Sequence, residues 1–487
     1  MMRNPYSFSL TALAAGLLLA GCAAMGPDYQ RPALDVPATL GSTNTAASAA
    51  KGTAVDWLAW WKSFQDPTLN ALLDEAAANS QDLVLAAGRV EEARALYGGA
   101  HAGLFPTVDA NASVAKSHLS VDAGTIPPGT YPIVNDYKLG LTASYELDFW
   151  GKLRRADEAA RSRLLSAQAS RGTVQATLYA NVAQNYFTLR AFDAQLALAE
   201  ATLATRRDNL RLQQKRLTAG VIGELDFHQA EAEAAATDVV VLQARQALRN
   251  SESAIALLLG RSPAQIANPV IARGQSIDTL QKSALLPADL PSDLLNRRPD
   301  LVAAERQLVA ANADIGQAKA AYFPTLKLTA GAGDESLSLS KLFSAGSRFW
   351  NMGLGLTQPV FRAGALDAVV AGAEARKQQA LAQYVQAVQA AFRDVHDALV
   401  NIAANQDVVE ATAKRIAAVQ DTKRLADLRY ANGYSSQLEV LNAQRDLLQA
   451  QSGLIEAKRA QLAALVALYK AVGGGWDGTN ADKVSMK

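Results

Sequence analysis

The chain is built twice. Arg216-Leu-Thr-Ala-Gly220, followed by Leu225-Asp226, returns as Arg429-Tyr-Ala-Asn-Gly433, followed by Leu438-Glu439, at an offset of 213 residues. The same offset carries Gly151 to Gly364, Ala230 to Ala443 and Gly260 to Gly473. Phe105-Pro-Thr returns as Phe323-Pro-Thr at an offset of 218, so one connection differs in length. Solenoid repeats run to about 45 residues at most, so this unit reads as a duplicated half-molecule. Any fold proposed for the chain must therefore be made of two similar halves.

Each half holds an uncommonly long helical stretch. No proline occurs between Pro132 and Pro263, or after Pro359. Val182, Leu189, Leu196, Leu203, Leu210 and Leu217 recur at every seventh position, and Val395, Ile402, Val409 and Ile416 keep the register in the second half. Leu178, Phe192 and Ala199 fill companion positions. Sustained seven-residue spacing implies helices that supercoil around neighbours. The run from Lys152 to Thr218 would extend roughly 100 Å as one helix at 1.5 Å per residue. A turn at Ala219-Gly220 returns the chain along Leu225 to Leu259. The second half runs from Ala365 to Ala431, turns at Asn432-Gly433 and returns to Val472. Glycine at such a turn suits a helix C-cap.

Before each long helix the period changes to two. Tyr137, Leu139, Leu141, Ala143, Tyr145, Leu147 and Phe149 alternate with polar or small residues, as do Val108, Ala110, Ala112 and Val114. Leu326 to Ala330 and Trp350, Met352, Leu354, Leu356 repeat the pattern. This predicts one pair of strands per half, each with an apolar and a polar face. Phe105, Tyr137, Phe149, Phe323, Phe349 and Trp350 lie toward strand ends, where membrane barrels carry aromatic girdles. A soluble antiparallel sheet with one solvated face would show the same alternation. If the strands do lie in lipid, four of them leave two edges that hydrocarbon cannot satisfy. Closure then needs other copies, and three copies give a barrel of twelve strands, wide enough for an aqueous bore.

The amino terminus reads as an export signal: Arg3, an apolar run from Leu10 to Ala20, then Leu19-Ala20-Gly21-Cys22. That ending resembles the bacterial lipobox, in which the cysteine becomes acylated. Cys22 is the only cysteine, so no intrachain disulfide forms. Ala23, rather than Asp, follows it, which is compatible with transfer to the outer membrane. The Ala-, Thr- and Ser-rich stretch from Pro32 to about Ala54 reads as a tether. The expected order is a signal peptide at 1–21, a lipidated tether at 22–55 and a first repeat at 56–262. A connecting segment at 263–292, a second repeat at 293–473 and a tail at 474–487 follow.

Net charge is +1 with 19% charged residues, which leaves no basic excess for nucleic acid. The four histidines, His101, His118, His228 and His396, have no metal-ligand spacing. Neither a Gly-x-Ser-x-Gly elbow nor a phosphate-binding loop is present, and the strand glycines Gly331, Gly333, Gly353 and Gly355 read as permitting tight packing. No enzyme, cofactor or metal is expected, apart from covalent lipid on Cys22.

Several motifs, in order, carry a resemblance. They are the lipobox at Cys22, Gly26-Pro-Asp-Tyr-Gln-Arg-Pro32, Trp61-Lys-Ser-Phe-Gln-Asp-Pro67, Leu290-Pro291, Asp293-Leu-Leu-Asn-Arg-Arg-Pro-Asp300, Tyr322-Phe-Pro324 and the two glycine-centred turns. Together they resemble the NodT/OprM lipoprotein branch of the TolC-like outer-membrane efflux proteins. The resemblance implies an α+β fold: a homotrimer whose twelve-stranded membrane β-barrel continues into a long α-helical coiled-coil periplasmic tunnel. It implies an outer-membrane location, docking to a periplasmic adaptor through the tips at Gly220-Val221 and Gly433-Tyr434, and a resistance-nodulation-division pump in the inner membrane. Leu438, Asn442 and Arg445 share one face of the returning helix, bordered by Glu439, and the family's tunnel is constricted at a similar place. The family often has an acid where this chain has Asn442. Leu225, Asp226 and Gln229 hold the matching positions in the first half, so the spacing leaves open which helix lines the constriction. The competing reading is a lipid-tethered periplasmic coiled-coil scaffold without a pore.

Overall fold

The computed structural model describes residues 24–36, 56–120, 122, 131–283 and 294–478. The signal peptide, Cys22, Leu290-Pro291, Asp293 and the end of the tail lie outside the described residues. After a 3-10 turn at Trp57–Phe64 come α1 (Pro67–Asn79) and α2 (Gln81–Ala102), then β1 (Thr107–His118) and β2 (Ile133–Leu147). The first long hairpin is α3 (Lys152–Thr218) and α4 (Glu224–Leu258). Short helices α5 (Pro263–Ala267), α6 (Ile277–Ser283) and α7 (Leu294–Arg297) lead to α8 (Pro299–Ala320). Then β3 (Thr325–Ser336), β4 (Arg348–Thr357), α9 (Ala365–Ala431) and α10 (Gln437–Ala471) complete the second half.

Across the long helices the duplication holds to the residue. Helices α3 and α9 each have 67 residues, and α4 and α10 each have 35. All four end at a glycine with positive φ: Gly220, Gly433, Gly260 and Gly473. At the first tip the Gly220 N–H donates to the Leu217 carbonyl and the Val221 N–H to that of Arg216, both at 2.9 Å. At the second, Gly433 donates to Tyr430 and Tyr434 to Arg429. Each pair satisfies carbonyls that the helix leaves open, and the left-handed residue between them is cheap only for glycine.

The four strands form one antiparallel sheet in the order β1-β2-β3-β4. Each half supplies a hairpin, and β2 joins β3 across the halves. Strand β2 stops two residues short of the alternation read from the sequence. Phe149 lies beyond it, because Asp148 turns to accept the Arg154 N–H at 2.9 Å and Gly151 follows at φ 75°. Tyr137 is the fifth residue of β2 rather than at its end.

The chain divides into two compact units. The first takes 1–33, 90–166 and 304–384, and contains the sheet. The second takes 34–89, 167–303 and 385–487, and contains the main apolar cluster. There Trp60 stacks on Tyr469 at 5.1 Å and Phe64 packs on Phe187 at 4.9 Å. Asp66, fully buried, caps α1 through the Thr68 and Leu69 N–H groups and also accepts from the Tyr186 hydroxyl at 2.6 Å and the Gln275 N–H at 3.0 Å. Four donors make this buried carboxylate tenable. Burial first, and then that hydrogen bond, push the Tyr186 hydroxyl well above its ordinary value. Of the heptad residues, Val182, Leu189, Leu203, Val395 and Ile402 are buried, while Leu196, Leu210, Leu217, Val409 and Ile416 are half-buried. Among the described residues no helix is long and apolar enough to cross a membrane.

Candidate functional site

The register sorts the sheet's two faces by chemistry. Val114, Leu139, Leu141, Leu328, Leu354 and Leu356 fall on one face with Tyr137, Trp350 and Met352. In one cross-sheet row Ala110 opposes Leu141, Leu141 opposes Ala332, and Ala332 opposes Trp350. This face is bare: Leu141 is 56% exposed, Leu354 63%, Val114 74% and Trp350 81%. The other face is polar and internally bonded. Asn111 donates to Thr142 at 3.0 Å, Thr107 bonds Ser144 at 3.0 Å, and Lys138 pairs with Glu335 at 3.0 Å. Phe349 departs from the girdle reading. Strand parity turns it to the polar face, where the Lys138 ammonium lies 4.4 Å from its ring centre.

Glycines cluster on the polar face too. Gly140, Gly331, Gly333, Gly353 and Gly355 all share it by parity, and Gly140 opposes Gly333 directly. A Cβ on Gly333 would come within 2.2 Å of the Leu139 carbonyl oxygen and 2.5 Å of the Gly140 Cα. The packing reading of these glycines therefore holds for Gly333, and for Gly331, whose added Cβ would meet Asn351 at 2.5 Å. Gly353 and Gly355 have room for a side chain. Close backbone approach at the first pair leaves no room for a side chain on this face there.

The segment just after the lipobox is docked, which the sequence reading did not anticipate. Gly26 lies on Gly316 of α8 so closely that an added Cβ would meet the Gly316 Cα at 2.5 Å. The Arg155 guanidinium, nearly buried, holds Asp28 at 2.7 Å, Glu158 at 2.8 Å and the Met25 carbonyl at 3.2 Å. Asn312 donates to the Pro27 carbonyl at 2.7 Å, and Arg31 and Tyr29 both hold Glu305. Met25 donates to Trp150, and Ala24 packs against Gly151, where β2 passes into α3. Trp150 there stacks on Phe323 at 4.7 Å.

The tips are open. A Cβ on Gly220 or Gly433 would meet nothing within 4 Å. They differ in what they present: Val221 is 71% exposed on the first and Tyr434 79% on the second. Arg216 of the first hairpin donates to the Tyr430 hydroxyl of the second at 3.1 Å.

Just beyond the second tip, Leu438, Glu439, Asn442 and Arg445 are all exposed, as their spacing requires. Glu439 and Arg445 do not pair with each other. Glu439 faces Arg429 at 3.7 Å, while Arg445 donates to Asn442 at 3.1 Å and to Glu233 of α4 at 2.6 Å. Glu233 is buried and also faces Arg206 of α3 at 3.6 Å. Burial pushes the Arg206 guanidinium down, and Glu233 opposes that shift. The hydrogen bond to Glu233 raises Arg445. Leu225 in the first hairpin is also exposed, so both hairpins offer a leucine in their first turn. Sequence reasoning missed Arg206 and Glu233. The signal was a mismatch between halves: Arg206 corresponds to Val419, and Arg445 to Ala232, so each arginine replaces an apolar twin.

Comparison with known proteins agrees with this geometry. The sequence profile of the family described as outer membrane efflux protein matches residues 72–261 and 290–474. The cation efflux system protein CusC of Escherichia coli is 36% identical over 473 residues, covering 96% of this chain and 98% of the relative. The solvent efflux pump outer membrane protein SrpC of Pseudomonas putida is 37% identical over 479 residues, with coverage of 96% and 98%. Among solved structures, the CmeC outer membrane channel of Campylobacter jejuni superposes with a TM-score of 0.87 at 25% identity, covering 95% of this chain and 99% of that one. The fold class is α+β, that of trimeric outer-membrane channels in which β-barrel strands continue into a helical tunnel.

Proposed function

The chain belongs to the outer membrane efflux protein family and is an outer-membrane efflux channel, and we propose that it works as the exit duct of a three-part pump. The observation that carries this is the bare apolar face that runs through all four strands. Water does not tolerate so continuous a patch, and lipid does. A periplasmic scaffold without a pore has no use for it. Three copies close the edges at β1 and β4, and the polar face becomes the wall of the bore. A periplasmic adaptor meets the tips, and an inner-membrane pump of the resistance-nodulation-division class loads the duct. CusC and SrpC are named for cations and for solvents, so relatives of similar identity serve unlike cargo. Selection then belongs to the pump, and this chain conducts rather than catalyses.

The tips carry the adaptor contact in this proposal, since their backbone is open and Val221 and Tyr434 stand exposed on them. Gly220→Trp and Gly433→Trp should each weaken adaptor crosslinking in the native envelope by about tenfold, or ~1.4 kcal/mol. Trimer formation should be unaffected. Unchanged crosslinking in both variants would defeat the docking assignment.

We also propose acylation of Cys22. Covalent reach keeps an acyl-bearing residue 22 within about 7 Å of Ala24, which lies against Gly151 at the helix side of the sheet. Phe105, Phe149 and Phe323 flank the sheet at that same side. The lipid would thus enter the membrane beside the barrel's periplasmic rim. The intact mass of the mature chain reads this directly: a chain beginning at Cys22 without added acyl mass refutes it.

A further inference from the structure

We propose that the outer rim of the barrel, at the hairpin-loop end, binds the phosphate of an anionic glycolipid headgroup through Lys116 and Arg348. Both residues lie on the membrane-facing side of the sheet. Lys116 follows Val114 by two residues on β1, and Arg348 precedes Trp350 by two on β4, so each keeps the parity of the apolar face. Both are exposed, and neither has a side-chain hydrogen bond or ion pair among the described residues.

The opposite face treats its cation differently. Lys138, at the same end, is neutralised by Glu335 at 3.0 Å and rests on Phe349. On the membrane face the one acid directly opposite Arg348 is Asp334, and it accepts the Ser347 hydroxyl at 3.1 Å without forming an ion pair. Unpaired cations at the edge of an apolar band are costly unless their heads reach a polar, negatively charged layer. Trp350, 81% exposed and one step inward, marks the boundary that aromatic side chains favour. Phosphate is the group in that layer that a guanidinium and an ammonium bind most strongly.

Oligomer closure sharpens the site. Lys116 lies on one edge strand and Arg348 on the other. Edge pairing uses backbone groups and leaves the sheet faces free. Barrel closure therefore sets β4 of one copy beside β1 of the next, with both cations still outward at the same end. One headgroup phosphate between copies would receive a cation from each.

The inference rests on the membrane-facing assignment of the sheet, and its test reads assembly separately. Purified full-length trimer in mild detergent is titrated with lipid A, and then with phosphatidylcholine, and bound lipid is counted by native mass spectrometry. The wild-type trimer should retain lipid A in preference to phosphatidylcholine. Lys116→Gln with Arg348→Gln should weaken lipid A binding on the order of tenfold, while the trimer persists in the same spectrum. Lys138→Gln, on the polar face, should bind as wild type, and the exchange Lys116→Arg with Arg348→Lys should retain most of the affinity. Undiminished lipid A binding in the double variant overturns the proposal, as does an equal loss in Lys138→Gln. Displacement of lipid A by inorganic phosphate overturns the lipid as the occupant and leaves a soluble-anion site.

Discussion

Leu141→Arg should leave the protein unable to assemble in the outer membrane, whereas Thr142→Arg, its neighbour on the same strand, should assemble. Leu141 is the ninth residue of the fifteen in β2 and 56% exposed on the apolar face. An arginine at the middle of a barrel's lipid band costs about 2–4 kcal/mol, and three copies incur it together. Thr142 points the other way, where it accepts a hydrogen bond from Asn111 at 3.0 Å. Its replacement loses that bond, worth about 1 kcal/mol, and puts the charge in water. Heat-resistant trimer on a gel and protection from external protease read the outcome. If both variants assemble equally well, the apolar face does not meet lipid and the barrel reading falls.

We expect the second large effect at the constriction. Leu438→Ala combined with Glu439→Ala should open the channel, read as single-channel open probability in planar bilayers. Leu225→Ala with Asp226→Ala should do less. Glu439 contributes little by itself, since its contact with Arg429 is long and exposed, worth under about 1 kcal/mol. The leucine matters more. If each truncation withdraws about 1 kcal/mol from the closed form, three copies shift the closed-to-open ratio by roughly a hundredfold. Arg445 should stay in place in this variant, because Glu233 and Asn442 still hold it. The reverse ranking of the two double variants would mean that α4, not α10, lines the gate.

The periodic parts of this molecule were legible because each rests on a local rule. A strand with lipid on one side and water on the other alternates at every step, so β1 to β4 could be read from hydropathy alone. Glycine at a left-handed C′ position punctuates long helices, so Gly220 and Gly433 marked both tips and the helix lengths followed. What stayed hidden depends on partners far apart in the chain. Arg445 shares a helix face with Leu438 and Asn442, yet it bonds Glu233, 212 residues distant. The docking of Gly26 on Gly316 was invisible for the same reason: close backbone contact leaves no pattern in either segment. Phe349 was grouped with the girdle by position along the strand, but parity, which decides the face, put it under Lys138. The pairing of β2 with β3 likewise came only from the register.

The glycines of the polar face bear on how cargo travels. Opposed Gly140 and Gly333, with Gly331, Gly353 and Gly355 beside them, replace side chains by main chain over part of the wall. Such a surface offers few side chains for a solute to grip, Phe349 opposite Gly333 being the large apolar one, and its peptide dipoles are already bonded within the sheet. A molecule passing it finds few places to adsorb. In chromatographic terms a bore lined by this face, as proposed, would act as an inert column, where unlike solutes elute with similar short dwell times. A duct that serves whatever its pump delivers gains more from a wall that retains nothing than from one that recognises something.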